Sequence, residues 1–216
     1  MQSLLKILIK MNWTSIYLKT SNLNVFILGT GEVVTRRANK FLDHGANVKL
    51  AGSQISEDLK SKGAVLCSTD DVDDLVGWAD LVVIASGDEK LSDYVFEISG
   101  EKLVNRADYP WDANVIVPTS FNIGDVEISI FTGGKSPLMA RQLRKKIQSV
   151  ITSEDIMQIE LQEYARSKLK LVIENQKQRR DCLYEILDDE TVRDFIKKEQ
   201  IDDAKDYIDN LIRGLE

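Results

Sequence analysis

The chain predicts an α/β protein, a parallel sheet built from βαβ units, followed by an all-helical C-terminal region. Three observations carry this expectation. Apolar, β-branched runs stand at residues 24–28, 48–51 and 81–85, with helix-like or polar stretches between them. A glycine turn, Gly29-Thr30-Gly31, leads the first run directly into a helical pattern. Beyond about residue 150 the composition changes, because residues 151–216 contain no proline and a single glycine, Gly214.

The balance of residues is that of a folded globular protein. Of 216 residues, 43% are hydrophobic and 29% charged, and with 12 Gly and 3 Pro the chain is neither fibrous nor disordered. A formal charge of −7 argues against nucleic acid or an anionic membrane as a main partner, since both are held through clustered Lys and Arg. Cys67 and Cys182 form no C-x-x-C pair, which suits a reducing compartment. With a single histidine, His44, imidazole-based metal sites and Ser-His or Cys-His catalysis hang on one residue, which reads as surface or helix-end structure. Residues 1–12 carry an apolar run broken by Lys6 and Lys10, too short to span a bilayer. Met11 is an alternative start, and the expected location is cytoplasmic, with no membrane partner.

Taken in order, the run 24–28 is a buried strand, and residues 32–44 place Val33, Val34, Ala38, Phe41 and Leu42 near helical spacing, closed by Gly45. Residues 70–80 set Asp70, Asp71, Asp73 and Asp74, with Asp80 at the end, around Val72, Leu75, Val76 and Trp78, which reads as an acidic helix start rather than a cation site. A fourth short apolar run at 115–117 is expected as a strand, and 126–131 alternates as a half-exposed one. Thr132-Gly133-Gly134 then breaks the chain before Ser136-Pro137 opens a helix. In the tail, Ile156, Ile159, Leu183, Ile186, Leu187, Phe195, Ile196, Ile208, Leu211 and Ile212 recur at three- and four-residue steps, as in short amphipathic helices. The acidity is concentrated there, 11 Lys/Arg against 17 Asp/Glu, a net −6, which reads as a solvated face.

Strand, glycine turn and helix together read as a dinucleotide-binding, Rossmann-like element, the alternative being glycines that serve only as a strand-to-helix turn. Gly29 permits the tight turn, Gly31 lets backbone approach a pyrophosphate, and the helix N-terminus receives the charge. Val34 stands where a third small residue is usual, and the second strand ends in Ala51-Gly52-Ser53-Gln54 without a carboxylate for the adenosine ribose. Backbone, Ser53 and Gln54 are left for that contact, and the lack of Arg or Lys favours NAD over NADP. Small residues Ala85 and Ser86, at the end of the third run, make room for the cofactor. A second anion-binding corner is expected at Gly133, Gly134, Lys135 and Ser136, with Arg141, Arg144, Lys145 and Lys146 following on the helix. Helix capping by Ser136 and charge–dipole pairing by residues 144–146 are the alternative reading.

The ordered motifs resemble one family. Gly29-x-Gly31-Glu32-Val33 with Arg36 and Arg37, Leu103-Val104-Asn105-Arg106-Ala107-Asp108, Val117-Pro118, and Gly133-Gly134-Lys135-Ser136-Pro137-x-x-Ala140-x-x-Leu143-Arg144 look like the precorrin-2 dehydrogenase family. That family includes the amino-terminal region of siroheme synthase and fungal bifunctional relatives. The resemblance covers roughly residues 13–150 and extends faintly to Gln178-Arg179-Arg180. It implies NAD-dependent oxidation of precorrin-2 to sirohydrochlorin by a homodimer, with some members also inserting ferrous iron. It implies cofactor contacts at Gly29, Thr30, Gly31, Glu32, Val33, Ser53 and Gln54, and a catalytic aspartate at Asp108. Asn105, Gly133, Gly134, Lys135, Ser136, Arg141 and Arg144 become candidate substrate contacts. The family usually spells the aspartate segment N-V-V-D, so Arg106-Ala107 departs from it, as does Thr30 from a third consecutive glycine.

The implied organisation is an NAD-binding domain over 13–118, a dimerisation and substrate-binding region over 119–150, and a helical domain over 151–216. Two other readings of the residues stay open, a nucleotide-binding sensor or scaffold without turnover, and a ferrochelatase alone.

Overall fold

The computed structural model describes residues 13–215, so the run at 1–12 lies outside the described residues. The chain divides between Val117 and Pro118 into two compact units.

In the first unit, β1 (Asn24–Leu28), β2 (Asn47–Ala51), β3 (Val65–Cys67), β4 (Leu81–Ile84) and β5 (Leu103–Arg106) form one parallel sheet in the order β3-β2-β1-β4-β5. Helices α1 (Glu32–Leu42), α2 (Glu57–Ser61), α3 (Val72–Trp78) and α4 (Glu89–Ile98) connect the strands. Alternate strand residues face opposite ways. Val25, Ile27, Val48, Leu50, Leu81 and Val83 therefore pack with Val34, Ala38 and Phe41 of α1 and Leu59 of α2. Phe26, Leu28, Val82, Ile84 and Val104 pack on the other face with Val72, Leu75 and Val76 of α3 and Val95 of α4. Burial on both faces explains why β1 and β4 are continuous apolar runs rather than alternating ones. Each fully buried large side chain there contributes about 1.5–3 kcal/mol.

The acidic stretch behaves as its composition suggested, with Asp73 and Asp74 in the first turn of α3 and Asp73 accepting from the Tyr94 hydroxyl at 2.8 Å. His44 is exposed, its Nδ1 lying 2.7 Å from the Lys40 carbonyl at the end of α1. Gly45 takes a φ of 78° and lets the chain turn into β2.

The run at 115–117 is not a strand of the sheet. The last strand is β5, which the sequence masked because two of its four residues are Asn105 and Arg106, both buried. Residues 114 and 115 instead cover its free edge: Asn114 Oδ1 accepts from the Val104 amide at 2.7 Å, and the Val115 amide donates to the Val104 carbonyl at 2.9 Å. An edge strand is thereby protected from pairing elsewhere.

The second unit opens with an antiparallel hairpin, β6 (Thr119–Ile123) and β7 (Val126–Ile130), followed by α5 (Pro137–Gln148). Four helices complete it: α6 (Ser153–Val172), α7 (Gln176–Asp188), α8 (Glu190–Lys197) and α9 (Ile201–Arg213). Thr152 and Asp155 cap α6 reciprocally. The shared core is Leu161, Ala165 and Leu169 of α6 with Ile186, Val192, Ile196, Ala204, Ile208 and Ile212. Ile159 and Leu211, expected on the apolar faces, are exposed. On α6 the buried stripe runs at Leu161 and every fourth residue, with small Ala165 admitting its neighbours closely. No helix among the described residues is long and apolar enough to cross a membrane.

Candidate active site

A cleft of about 300 Å³ opens at the C-terminal ends of β1, β2 and β4, lined by Gly29, Thr30, Gly31, Gly52, Ser53, Thr69, Ala85, Ser86 and Gly87 among others. This is the point where the strand order reverses, β1 being flanked by β2 on one side and β4 on the other. The glycines fall into two kinds. Gly29 has a φ of 115°, and a Cβ there would lie 2.5 Å from the Ala85 carbonyl oxygen, so the fold itself demands glycine. A Cβ on Gly52 would collide with Thr30 Cγ2. A Cβ on Gly31 or Gly87 would meet no protein atom within 4 Å, so there the open space faces the cleft.

Helix α1 begins beside that space with no side chain capping its first turn, whereas Ser56, Asp88, Ser136, Thr152, Asn175 and Asp189 cap α2, α4, α5, α6, α7 and α8. The α1 terminus thus offers backbone N–H groups and positive dipole to an anion, which fits the pyrophosphate of a dinucleotide. The Thr30 and Ser53 hydroxyls approach to 3.3 Å across the cleft mouth. Glu32 and Val33 are exposed at the start of α1, and Gln54 is exposed after β2; these three flank the cleft without lining it.

One strand further along the same sheet edge, the Ala107 amide donates to the Ile84 carbonyl at 2.8 Å, and Asp108 follows. Its carboxylate receives a fork from Arg106, Nη2 to Oδ2 at 2.6 Å and Nε to Oδ1 at 3.2 Å. The same Nη2 donates to Asp93 Oδ1 at 2.9 Å. The Arg106 side chain is 3% exposed, that of Asp108 25%. Burial by itself would raise the Asp108 carboxyl, but the Arg106 fork and backbone amide bonds outweigh it and hold the group below the usual carboxylate range. Hydrogen bonding to Asp108 in turn fixes the positive charge on Arg106. Asn105 is 2% exposed; its Nδ2 donates to the Val115 carbonyl at 2.8 Å and holds the β5 edge, while its buried Oδ1 has no hydrogen-bond partner among the described residues.

In the second unit, Gly133 and Gly134 take φ of 65° and 68°, reversing the chain after β7. The Ser136 hydroxyl caps α5, accepting from the Met139 amide at 3.1 Å with Pro137 in the first turn. Lys135 and Arg141 are exposed, and the Arg144 guanidinium lies over the Phe121 ring at 5.1 Å.

The comparisons with known proteins agree with this geometry. Residues 16–119 match a family model described as "Putative NAD(P)-binding". The chain is 30% identical over 188 residues to a protein of Methanocaldococcus jannaschii named "Putative precorrin-2 dehydrogenase", covering 81% of this chain and 89% of that one. This chain belongs to the precorrin-2 dehydrogenase family. A "Precorrin-2 dehydrogenase" of Methanosarcina barkeri is 29% identical over 84% of this chain and 85% of its own. A "Siroheme synthase" of Mannheimia succiniciproducens is 24% identical over 90% of this chain, which spans 42% of that longer protein. Among solved structures, "SirC, precorrin-2 dehydrogenase" superposes with a TM-score of 0.73 at 20% identity, covering 92% of this chain and 100% of that one, which shows the shared fold.

Within this precorrin-2 dehydrogenase family member, one cleft unites Gly29, Thr30, Gly31, Ser53, Ala85 and Ser86 as the sequence suggested. Gly52 and Gly87, which stand in the same two stretches, line it beside them, and Thr69 was missed. Gly52 and Gly87 were legible as small residues ending apolar runs, but Thr69 reaches the cleft only because short β3 delivers it there.

Proposed function

We propose that this protein oxidises precorrin-2 to sirohydrochlorin with NAD as hydride acceptor. The observation that carries the reading is the cleft at the sheet's switch point, with an uncapped α1 terminus beside open space at Gly31, in a chain of this family. Bound NAD supplies the acceptor for two electrons and one hydrogen nucleus. The chain's own residues bind and orient. Gly31 and the α1 amides receive the pyrophosphate, while Thr30 and Ser53 offer hydroxyls to the ribose without a cation for a 2′-phosphate.

Loss of hydride leaves the macrocycle cationic, and loss of a neighbouring proton completes the desaturation. Asp108, at the same sheet edge as Ala85 and Ser86, is the group we assign to that proton. A carboxylate of low basicity suffices, because a C–H beside a cationic centre is far more acidic than in the starting ring. Lys135, Arg141 and Arg144 are the cations we assign to the substrate's carboxylates. Ser136 is spent on capping α5, so its part is to shape this corner. We assign the homodimer of the family to this chain as well, through β7 and the exposed Leu138, Met139 and Leu143 of α5.

The test is one preparation assayed with precorrin-2 with and without NAD, and with sirohydrochlorin and ferrous iron. NAD-dependent appearance of sirohydrochlorin absorbance supports the reading. NAD binding without turnover would identify a sensor, and iron insertion without NAD binding a chelatase. Sedimentation as a monomer at micromolar concentration would remove the dimer.

A further inference from the structure

We propose that Arg106 is a positioning residue for this reaction, holding the Asp108 carboxylate in one orientation at the end of β5 while Asp93 stands as its second partner. The inference rests on the assignment of Asp108 above. A guanidinium buried to this degree is costly to desolvate, and an apolar side chain of similar volume would fill the place without that cost. Arg106 is correspondingly held on several sides. Asp108 takes two of its N–H groups in a planar fork, Asp93 of α4 shares Nη2, and the guanidinium lies 5.1 Å from the Phe96 ring and 5.4 Å from the Tyr109 ring. Rings and fork together leave the guanidinium a single orientation, which the carboxylate inherits.

The second carboxylate gives the arrangement its chemical sense. Asp108 must accept a proton during the reaction and so lose its charge for a moment. With Asp93 Oδ1 already on Nη2, that step does not strand an unpaired buried cation. Asp93 keeps 62% of its side chain exposed, so it holds its own charge cheaply in water. The charged and titratable groups facing Asp108 are Arg106 from β5, Asp93 from α4 across that guanidinium, and Tyr109 beside it.

The experiment compares the full-length protein with Arg106→Gln, Arg106→Lys and Asp93→Asn, measuring kcat, NAD affinity and the Asp108 carboxyl titration by 13C NMR. Arg106→Gln is expected to raise the Asp108 titration, because the guanidinium that holds it low is gone, and to lower kcat tenfold or more, with NAD affinity unchanged. Arg106→Lys, which keeps the charge but not the fork, serves if the glutamine variant does not fold; it should hold the titration low while kcat still falls. Asp93→Asn should leave the titration at or below its original place and lower kcat several-fold. An unmoved titration with unaltered kcat in the Arg106 variants, turnover by the original protein being present, overturns the proposal. Absence of precorrin-2 turnover by the original protein, or full turnover by Asp108→Ala, instead defeats the functional reading beneath it.

Discussion

Two glycines separated by one residue should respond in opposite ways to the same added methyl group. At Gly29 the backbone has a φ of 115°, and the methyl would sit 2.5 Å from the Ala85 oxygen and 3.0 Å from its carbonyl carbon. Ala85 cannot retreat easily, because its own amide is bonded to the Leu28 carbonyl at 3.0 Å. Positive-φ strain of about 1–3 kcal/mol and overpacking of about 1–3 kcal/mol put Gly29→Ala near 3–4 kcal/mol of destabilisation. At about 2–4 °C per kcal/mol for a chain of this size, Tm should fall by roughly 10 °C. At Gly31 the φ is −78°, which any residue adopts, and the space is open, so Gly31→Ala should stay within about 0.5 kcal/mol of the original protein. Its effect should appear in NAD affinity, with Kd weakened about tenfold, or ~1.4 kcal/mol, since the methyl occupies the pyrophosphate's approach. Thermal unfolding followed by circular dichroism and titration calorimetry with NAD measure the two. A Gly31→Ala protein that binds NAD as tightly as the original refutes the placement of the pyrophosphate, and a Gly29→Ala protein of unchanged Tm refutes the steric argument.

Four further outcomes are expected. Gly52→Ala should destabilise through collision with Thr30 Cγ2, and adding Thr30→Ser, which deletes that methyl, should recover most of the loss in a double-mutant cycle by thermal unfolding. Ser136→Ala should cost about 1 kcal/mol by loss of the α5 cap, read in urea titration, without altering NAD affinity. Charge reversal at Lys135 and Arg141 should raise KM for precorrin-2 at least tenfold and leave NAD affinity alone; an unchanged KM would remove them from the substrate wall. For Asp108 the folded value lies below the unfolded one, so the stability it contributes is fully present above about pH 4 and is lost as pH falls through the lower folded value. Asp108→Asn should therefore destabilise by about 2 kcal/mol equally at pH 6 and pH 8, with the difference shrinking progressively in acid; a difference that grew in acid would reverse the assigned sign.

The sequence disclosed the parts of the fold whose burial is uniform. Strands β1, β2 and β4 are apolar because both faces are covered, and the turn at Gly29 is spelled by the residue its φ requires. It concealed β3, whose Val65 and Leu66 are exposed in a strand of three residues, and β5, whose polar members are buried through pairing rather than through apolarity. Neither case leaves a periodic trace, since ion pairing and sheet position are decided by residues distant in the chain. For the same reason the cofactor side of the site was readable from one local motif. The Arg106–Asp93 contact, by contrast, joins a strand to a helix 13 positions earlier and has no spacing rule to announce it.

Each departure from the family's usual spelling is matched by a specific accommodation nearby. Val34, larger than the residue expected at that turn of α1, is 1% exposed and fits because Gly29 has no Cβ; the missing atom would stand 3.2 Å from Val34 Cγ2. Thr30, in place of a glycine, lays its methyl over Gly52, where any side chain would collide, and turns its hydroxyl toward Ser53. Arg106, set where an apolar residue is usual, is neutralised by Asp108 and Asp93 and covered by Phe96 and Tyr109. In all three the changed residue and its accommodation lie in contact, and for Thr30 and Gly52, where the Thr30 methyl is the nearest atom, the paired change should cost less than the Gly52 change alone. Each departure is thus held by its neighbours in a way that keeps the cleft's outline, and Gly31 and the uncapped start of α1 take part in none of these contacts.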